Sequence, residues 1–266
     1  MTAPAPAPSV SVVIPAHDEA GCILATLRRL SAALEGAGVD HEIVVVDDHS
    51  SDGTGAIVRE FARESPATRL VVNPGRGGFG MAVRCGLEAA RKDAVAVFMA
   101  DASDDPDDLV RFVRAMERTG AECVFGSRFA SGGRVIDYPR PKLVLNRLAN
   151  AGIRLMFGMR YDDTTNAFKL YRREVIAGVS PLMSQHFNLT VELPLKAMVR
   201  GYSYVVVPNS WTNRAQGVSK FKIKEMGSRY AFIVLYCLLE KWLSRGDYRR
   251  VDEAPPMRAG LAGPEA

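Results

Sequence analysis

After its first residues, the chain alternates between short apolar runs and longer amphipathic stretches. Apolar runs rich in β-branched residues predict strands, and apolar residues three to four positions apart predict helices. The predicted strands cover residues 10–14, 41–46, 69–73, 94–99 and 121–125, with Pro15 ending the first. The predicted helices end near residues 35 and 64 and then cover 79–92 and 106–118. This alternation predicts βαβ units, and therefore an α/β fold with a mostly parallel, Rossmann-like sheet and helices on both faces.

The rhythm changes after Gly126. Residues 130–141 are predicted to form a loop, because they contain glycines and two prolines. Helices are predicted at 142–157, 189–200 and 218–244, with short strands at 169–171 and 203–208. We expect the part of the chain after Gly126 to pack around the sheet and to form the acceptor side of a cleft.

Composition places the chain among globular proteins. It has 266 residues, 47% of them hydrophobic and 24% charged, and its net charge of +4 does not suggest a nucleic-acid partner. The four cysteines are far apart and show no metal-binding spacing, which is typical of reduced thiols in a cytosolic protein. We expect a flexible segment at 1–9 without signal-peptide character, and a disordered tail at 251–266.

Acidic residues follow three of the predicted strands. Glu19 follows the first, Asp47 the second, and Asp101 with Asp104 the fourth. Open α/β sheets bind ligands at this carboxyl edge. Carboxylates crowded there repel one another unless a cation lies among them, and their oxygens suit Mg²⁺ or Mn²⁺ together with substrate phosphates. Asp101 and Asp104 are therefore the predicted metal ligands. Three further carboxylates are predicted only to favour the start of the next helix: Asp105, Asp107 and Asp108.

A glycine-rich segment offers a competing interpretation. Residues 75–80, GRGGFG, match the G-x-G-x-x-G fingerprint of dinucleotide-binding oxidoreductases, follow a strand and open a helix. The match lies in the third βα unit, however, and no acidic residue follows at a strand end about twenty positions on, so we give this alternative little weight. The glycines instead either let the backbone approach a nucleotide, with Arg76 on a phosphate or base, or allow close helix packing.

Several motifs together resemble a known family. They are VVIPAHDE at 12–19, IVVVDDHSSDGT at 43–54, GSRF at 126–129, DTTNAFK at 163–169, FNLTVE at 187–192 and NRAQGVSK at 213–220, with the glycine loop and Asp101 between them. They resemble the family 2 inverting glycosyltransferases with the GT-A fold, and within these the dolichyl- and polyprenyl-phosphate mannosyltransferases. The likeness covers roughly residues 10–225, which we therefore assign to one GT-A domain.

The resemblance implies roles for individual residues. Pro15, His17, Glu19 and Asp47 would bind the nucleoside of the sugar donor, and Asp101 with Asp104 would hold the metal that bridges the diphosphate. The sequence departs from the family pattern at one place, because Ala100 and Ala102 lie where the family often has acids. Asp104 is expected to serve as the second ligand instead.

Cations are predicted on the acceptor side. If the acceptor is a lipid phosphate, the nucleophile is already anionic near neutral pH, so no general base is needed and cations must position it. Guanidinium groups suit phosphate oxygens. Arg128, directly after a strand, is the first choice, followed by Arg140 and Lys142, whereas Arg134 is expected to be a solvated loop residue.

A polar loop around Gly217 is predicted to act as a mobile lid over the diphosphate, with an ordinary surface turn as the alternative. Its Arg214 joins the catalytic set, its Ser219 the acceptor-phosphate set and its Lys220 the donor set. Glu192 is expected either to orient one of the arginines or to face solvent.

The C-terminal stretch suggests a membrane surface. Residues 230–239 are ten consecutive apolar residues, and residues 214–250 contain nine Lys or Arg against three acids. A short apolar helix with aromatic residues and basic flanks fits an interfacial anchor, which we place at 226–250, with a core or dimerisation helix as the alternative. Since no apolar run reaches 18 residues, we expect peripheral docking on the cytosolic face of the membrane, directly or through a membrane-protein partner or homo-oligomer.

The prediction is therefore transfer of a hexose, mannose from GDP-mannose in the first instance, to a polyprenyl phosphate with inversion. Two alternatives stay open. One is transfer from a UDP-sugar to a soluble hydroxyl acceptor, which would require a carboxylate base. The other is a catalytically inactive nucleotide-sugar-binding protein, which the missing acids at 100 and 102 suggest.

Overall fold

The structure is a computed structural model that describes residues 7–213 and 223–250. Its centre is a seven-stranded sheet in the order β3-β2-β1-β4-β7-β5-β8, next to a two-stranded sheet of β6 and β9. The strands are β1 Val10–Ala16, β2 His41–Asp47, β3 Thr68–Val72, β4 Ala94–Val97, β5 Cys123–Ser127, β6 Arg134–Ile136, β7 Lys169–Arg172, β8 Tyr204–Pro208 and β9 Ser210–Thr212. The helices are α1 Ile23–Gly36, α2 Thr54–Glu64, α3 Phe79–Ala89, α4 Pro106–Thr119, α5 Arg140–Phe157, α6 Arg173–Gly178, α7 Leu189–Val199 and α8 Ile223–Leu243.

Two hydrophobic layers cover the two faces of the sheet. Side chains that point to opposite faces at alternate strand positions divide between them: Val12 and Ile14 of β1 pack with α1, α2 and α4, whereas Val13 packs with α3, α6 and α7. A third cluster lies farther out, where α5 and α8 pack around Val191 and Leu195 of α7. The predicted α/β architecture with helices on both faces is confirmed.

The sheet is parallel except at one strand. β7 runs antiparallel between β4 and β5 and pairs with both, with Val97 opposite Lys169 and Phe125 opposite Lys169. β7 therefore brings the segment that precedes it, residues 162–168, to the carboxyl ends of β4 and β5. The predicted functional loops and this segment consequently share one edge of the sheet.

Two local predictions were wrong. β1 does not end at Pro15 but continues to Ala16, paired only with β2. Its pairing with β4 stops at Val13, so the missing N–H of Pro15 leaves no ladder bond unmade on that side. The predicted loop at 130–141 contains β6, which pairs in parallel with β9.

Within the described residues, no helix is long and apolar enough to cross a bilayer.

Candidate active site

The loops after β1 and β2 are joined into one surface by hydrogen bonds. The ring Nδ1 of His17 lies 2.7 Å from the carbonyl oxygen of Asp48, and the amide of Glu19 donates to Thr54 Oγ1 at 2.9 Å. His17 is exposed and Glu19 is half-buried, whereas Pro15 is buried within β1. His17 and Glu19 thus lie at the edge of the sheet, whereas Pro15 lies within strand β1 beneath them.

The adjacent carboxylates Asp47 and Asp48 have different surroundings. Asp48 is buried and accepts hydrogen bonds from Asn73 Nδ2 at 2.7 Å and from the amide of Gly78 at 2.8 Å, and His49 Nδ1 lies 3.3 Å from its Oδ1. Asp47 is half-buried, and the missing side chain of Gly55 leaves it room, because a Cβ there would lie 2.7 Å from Asp47 Oδ2. Asp48 therefore ties the ends of β2 and β3 to the glycine loop, and Asp47 is the one of the two that remains available to a ligand.

The glycine loop serves helix packing at two of its positions. A Cβ on Gly78, whose φ is 147°, would lie 2.8 Å from the carbonyl oxygen of Gln185. A Cβ on Gly80 would lie 2.6 Å from the carbonyl carbon of Gln185 and 2.7 Å from the amide nitrogen of His186. The start of α3 can approach the backbone at Gln185 and His186 only because positions 78 and 80 carry no side chain. Arg76 is exposed on the same loop, so its contact with a donor stays a prediction.

Asp101 and Asp104 lie in the loop that follows β4. Asp101 Oδ1 accepts from the amide of Ser103 at 3.1 Å, and Asp104 Oδ2 accepts from the amide of Met99 at 3.2 Å. Asp104 is only 3% exposed. Burial and the nearby Asp101 carboxylate raise the pKa of Asp104 to about 7, while Arg128 opposes that shift. The two carboxylates therefore repel one another, and a cation between them would relieve this repulsion.

The two alanines of the same loop provide no ligand atoms from their side chains. Ala100 is buried, and its carbonyl accepts from Thr26 Oγ1 at 2.8 Å, while Ala102 has a φ of 58°. No group of three or more His, Cys, Asp or Glu side chains able to hold a metal occurs in the described parts of the chain. A pair of carboxylates suits Mg²⁺, which commonly takes one or two carboxylates and completes its shell with water and substrate phosphates.

Arg128 is held by a buried carboxylate. Its Nε donates to Asp163 Oδ2 at 2.8 Å and its Nη2 to Asp163 Oδ1 at 2.7 Å, with both side chains almost fully buried. Although burial opposes the charged form, Asp163 raises the pKa of the guanidinium above its ordinary value. Nη1 is the guanidinium nitrogen that Asp163 leaves uncommitted. Sequence reasoning identified Arg128 but missed Asp163, although the DTTNAFK motif contained it.

The segment 162–166 connects this ion pair to its surroundings. Asn166 Nδ2 donates to the carbonyl of Gly126 at 2.9 Å, and Thr165 Oγ1 accepts from Asn150 of α5 at 3.0 Å. Beneath it, the buried ammonium of Lys169 contacts the carbonyl oxygens of Thr164, Asn166 and Thr190. Burial lowers the pKa of Lys169 to about 7, against the opposing effect of Asp163. This network fixes the end of β5, and with it Arg128.

The remaining predicted cations lie at the start of α5 or beyond the described residues. Arg140 is exposed and Lys142 is half-buried in the first turn of α5. Arg134 is exposed, as expected, but it lies in strand β6 and not in a loop. The predicted lid residues lie outside the described part of the chain, so their roles stay predictions: Arg214, Ser219 and Lys220.

Two carboxylates behave differently from the predictions. Glu192 does not face solvent: it is fully buried, accepts from the amides of Met183 and Ser184 at 2.7 Å, and pairs with Lys196 at 2.9 Å. No arginine within 7–213 or 223–250 forms an ion pair with it. Asp108 is more than a helix-start residue: it is buried, and its Oδ2 accepts from the amide of Ser210 at 2.6 Å. The predicted capping role is confirmed for Asp105, which accepts from the amide of Asp107.

Helix α8 has one buried face and one exposed face. Four residues pack into the cluster with α5 and α7: Ile233, Val234, Cys237 and Leu238. Five large apolar side chains on the other face are between 52% and 71% exposed: Phe232, Leu235, Leu239, Trp242 and Leu243. The inner face of α8 is therefore part of a hydrophobic core, as one of the two alternatives for this helix expected. Core packing does not account for the exposed apolar side chains of the outer face.

Comparisons with known proteins identify relatives. The profile of glycosyl transferase family 2 matches residues 11–179. Polyprenol monophosphomannose synthase of Mycolicibacterium smegmatis is 32% identical over 234 residues, covering 82% of this chain and 86% of the relative. Undecaprenyl-phosphate mannosyltransferase of Micrococcus luteus is 28% identical over 239 residues, covering 88% and 96%.

The fold also resembles solved structures. Glucosyl-3-phosphoglycerate synthase from Mycobacterium tuberculosis, solved with Mn²⁺, UDP and glucosyl-3-phosphoglycerate, has a TM-score of 0.65 at 22% identity, with 88% of this chain and 80% of that chain covered. At this identity the likeness shows the fold alone, and it confirms the predicted GT-A architecture.

Proposed function

We propose, since the chain belongs to glycosyl transferase family 2, that it transfers a hexose from a nucleotide sugar to a polyprenyl phosphate with inversion at the anomeric carbon. Mannose is the proposed sugar and GDP-mannose the proposed donor, in keeping with the names of the two relatives. The observation that carries this proposal is the arrangement of two carboxylates, Asp101 and Asp104, beside a fixed guanidinium, Arg128, at one edge of the sheet.

The donor side is proposed to use the loops after β1, β2 and β4. His17, Glu19 and Asp47 offer a ring nitrogen and carboxylate oxygens to the donors of a base and a ribose. Asp101 and Asp104 fit a divalent ion, Mg²⁺ or Mn²⁺, which would neutralise charge developing on the departing nucleoside diphosphate. Thr26, which bonds the carbonyl of Ala100, links this metal side to α1 and thereby to the nucleoside side.

The acceptor side is proposed to use Arg128 with Arg140 and Lys142. In the reaction a lipid phosphate oxygen bonds to the anomeric carbon while the bond to the diphosphate oxygen breaks. Because a phosphate monoester is largely dianionic at neutral pH, no side chain has to remove a proton from it. The protein then has only to orient the acceptor phosphate. Asp163 binds Nε and Nη2 of Arg128, so Nη1 of the same guanidinium is held in a fixed direction.

The protein is proposed to work at the cytosolic face of the membrane as a peripheral protein, because its acceptor is a lipid. The exposed apolar face of α8 supports this, since an amphipathic helix with aromatic residues and basic neighbours binds at the interface between headgroups and acyl chains. A membrane-protein partner or a second copy of the chain would be the other occupant of that face.

A single assay tests the reaction. The full chain is incubated with Mn²⁺, undecaprenyl phosphate in detergent and labelled GDP-mannose, UDP-glucose or GDP-glucose in parallel, and label is measured in the organic extract. We expect extractable label with GDP-mannose that disappears in the Asp101→Asn variant. Label transferred only to water-soluble hydroxyl acceptors would favour the soluble-acceptor alternative. Metal-dependent donor binding without any turnover would favour an inactive binding protein.

A further inference from the structure

One face of α7 carries charged side chains that are almost fully buried. Glu192, Lys196 and Arg200 are four positions apart, so they form one row along the helix and its end. Glu192 and Lys196 have no exposed side-chain area and pair at 2.9 Å, while Arg200, 5% exposed, pairs with Glu240 of α8 at 2.8 Å. The proposed reaction uses none of these residues. Because ionised groups are costly to bury, the contacts that they make indicate what the row does.

All three side chains of the row bind the backbone of residues 178–184, which connect α6 to α7. Glu192 accepts from two amides, both at 2.7 Å. Lys196 donates to one carbonyl oxygen, and Arg200 Nη1 donates to two more, at 2.7 and 2.9 Å. In that order, the backbone partners are Met183, Ser184, Pro181, Gly178 and Ser180. The row therefore fixes this connection at five of its seven positions.

The connection leads directly into the backbone on which the glycine loop rests. Residues 185–186 are the ones that a Cβ on Gly80 would meet at 2.6 and 2.7 Å. The ring of the next residue, Phe187, stacks on that of Phe79, the first residue of α3, with centroids 4.1 Å apart and an interplanar angle of 13°. Close packing leaves no space to absorb a shift, so a displacement of 185–187 must displace the start of α3 as well.

The glycine loop is in turn bonded to the proposed nucleoside site. The amide of Gly78 donates to Asp48 Oδ2 at 2.8 Å, and the carbonyl oxygen of Asp48 lies 2.7 Å from Nδ1 of His17. His17 is one of the residues proposed to bind the nucleoside. A continuous series of contacts therefore runs from the buried row of α7 to the donor side of the site.

We propose that Glu192, Lys196 and Arg200 are positioning residues for the nucleotide-sugar donor. By fixing the backbone of 178–184, they set the position of 185–187 and of the glycine loop that packs against it. They are buried beneath the site and act on the donor only through this backbone. The inference rests on the proposed function, and it adds that the binding of the nucleotide, and not that of the lipid phosphate, depends on the row.

Stability alone does not account for the row. Apolar side chains of similar size often serve a buried site as well as an ion pair does, or better. An apolar side chain, however, cannot hold an amide or a carbonyl oxygen at a fixed position, whereas a charge-assisted hydrogen bond restricts both distance and angle. Glu192 has the most direct effect, because its two oxygens bind adjacent amides and the second of these, that of Ser184, immediately precedes 185–187.

The test uses two variants and one control. Glu192→Gln/Lys196→Met removes the buried pair without leaving either charge alone, and it replaces one of the two accepting oxygens by an NH₂ donor. Phe187→Leu removes the ring stack with Phe79 and leaves every buried charge in place. Phe61→Leu is the matched control, because Phe61 of α2 is buried in the hydrophobic layer on the other face of the sheet.

Three measurements are made on the full chain. Calorimetry gives the affinity for GDP and for UDP in the presence of Mn²⁺, urea unfolding gives the stability, and mannosyl transfer to undecaprenyl phosphate in detergent gives a KM for each substrate. We expect both variants to bind nucleotide about 10-fold more weakly and to show a similar rise in the KM for the donor, the kind of loss that misplaced binding groups cause. The KM for the lipid phosphate should stay unchanged, and Phe61→Leu should bind nucleotide like the wild-type chain.

The contrary results are distinct. Unchanged nucleotide binding in Phe187→Leu, or an equal loss in Phe61→Leu at equal stability, would overturn the positioning role. A parallel rise in the KM for both substrates would do the same, because it would indicate a general loosening of the fold. If the double variant does not fold, Phe187→Leu and its control decide. A wild-type chain that binds nucleotide but transfers no mannose would refute the proposed function and leave the calorimetric comparison valid.

Discussion

Asp163 and Arg128 form a bidentate ion pair beneath the proposed acceptor side of the site, with nitrogen–oxygen distances of 2.7 and 2.8 Å. Asp163 also accepts from the amide of Arg128 at 2.9 Å, so one carboxylate holds both the backbone and the side chain of the same residue. The direction of the guanidinium is therefore set by a residue that is 35 positions away in sequence.

Replacing Asp163 by Asn should damage both stability and acceptor use. The change leaves a buried guanidinium without a counter-charge, a loss that typically costs about 3–5 kcal/mol in the free energy of unfolding. Urea unfolding measures this cost, and steady-state kinetics should show a larger rise in the KM for the lipid phosphate than for the donor. Asp162→Asn is the matched control. Asp162 is the neighbouring residue, and its half-buried carboxylate accepts from Ser127 and does not pair with Arg128. Equal stability of the two variants would contradict this account of the pair.

Gly80→Ala should destabilise the protein although alanine is the better helix former. A Cβ at position 80 would lie 2.6 Å from backbone of the segment at Gln185, so α3 or that segment must move, which typically costs about 1–3 kcal/mol. Gly152→Ala in α5 is the control, since no atom lies within 4 Å of a Cβ there and we expect a gain of about 0.5–1 kcal/mol. Thermal unfolding of both variants measures these changes in stability. A stabilised Gly80→Ala protein would show that the backbone at Gln185 moves away from the new methyl group at little cost.

The contrast between these glycines shows where sequence reasoning succeeded and where it stopped. Periodicity located the strands and helices of the first half because each apolar run lies in a sheet covered on both faces. The glycine motif was ambiguous because its partner, the backbone at Gln185, is a hundred residues away and leaves no local signal. The antiparallel insertion of β7 was hidden for the same reason, since strand direction depends on the connection and not on the strand's own residues.

The site divides in the same way. Residues at strand ends, such as Glu19, Asp47 and Asp101, were found from sequence because the edge of a parallel sheet collects them. The partner of Arg128 was missed because Asp163 lies 35 positions away and pairs with it only after the chain folds. Glu192 and Lys196 are four residues apart on α7, so their spacing was visible in the sequence, but their complete burial was not. Composition shows that a charge exists, but burial and partner depend on tertiary packing.

Asp101→Asn should abolish metal-dependent donor binding. Loss of one of the two carboxylates weakens binding of the ion that would neutralise the diphosphate. Because such an ion supplies several kcal/mol of charge stabilisation, we expect activity to fall about 100-fold or more. Calorimetry of GDP binding with and without Mn²⁺ measures the effect directly. Asp105→Asn removes a carboxylate four residues away that caps α4 and should retain metal-dependent binding. Metal-dependent GDP binding by Asp101→Asn at full affinity would exclude Asp101 as a ligand.

Lys169 should give the protein a distinctive pH dependence. Its pKa is about 7 in the native state because of burial, against about 10.4 for an ordinary lysine in the unfolded chain. Between these values the unfolded chain binds more protons than the native protein, so the free energy of unfolding contributed by this group rises with pH. Lys169→Gln should remove this contribution while keeping donors for the surrounding carbonyls. We expect the wild-type curve from pH 7.5 to 9.5 to rise relative to that of the variant, and parallel curves would show that Lys169 titrates normally.

Trp242 should report directly whether α8 enters a membrane. The chain has two tryptophans, Trp211 in β9 and Trp242 near the end of α8, where its side chain is 62% exposed. In the Trp211→Phe variant all tryptophan emission comes from Trp242, so binding to phosphatidylglycerol vesicles should shift the emission maximum to shorter wavelength as the indole leaves water. Brominated acyl chains should then quench it. The Trp242→Phe variant is the control, because Trp211 lies beside Tyr138 at a ring-centroid distance of 4.9 Å and should respond to neither vesicles nor bromolipid. Unchanged Trp242 emission under conditions where the protein sediments with vesicles would place the membrane contact elsewhere on the surface.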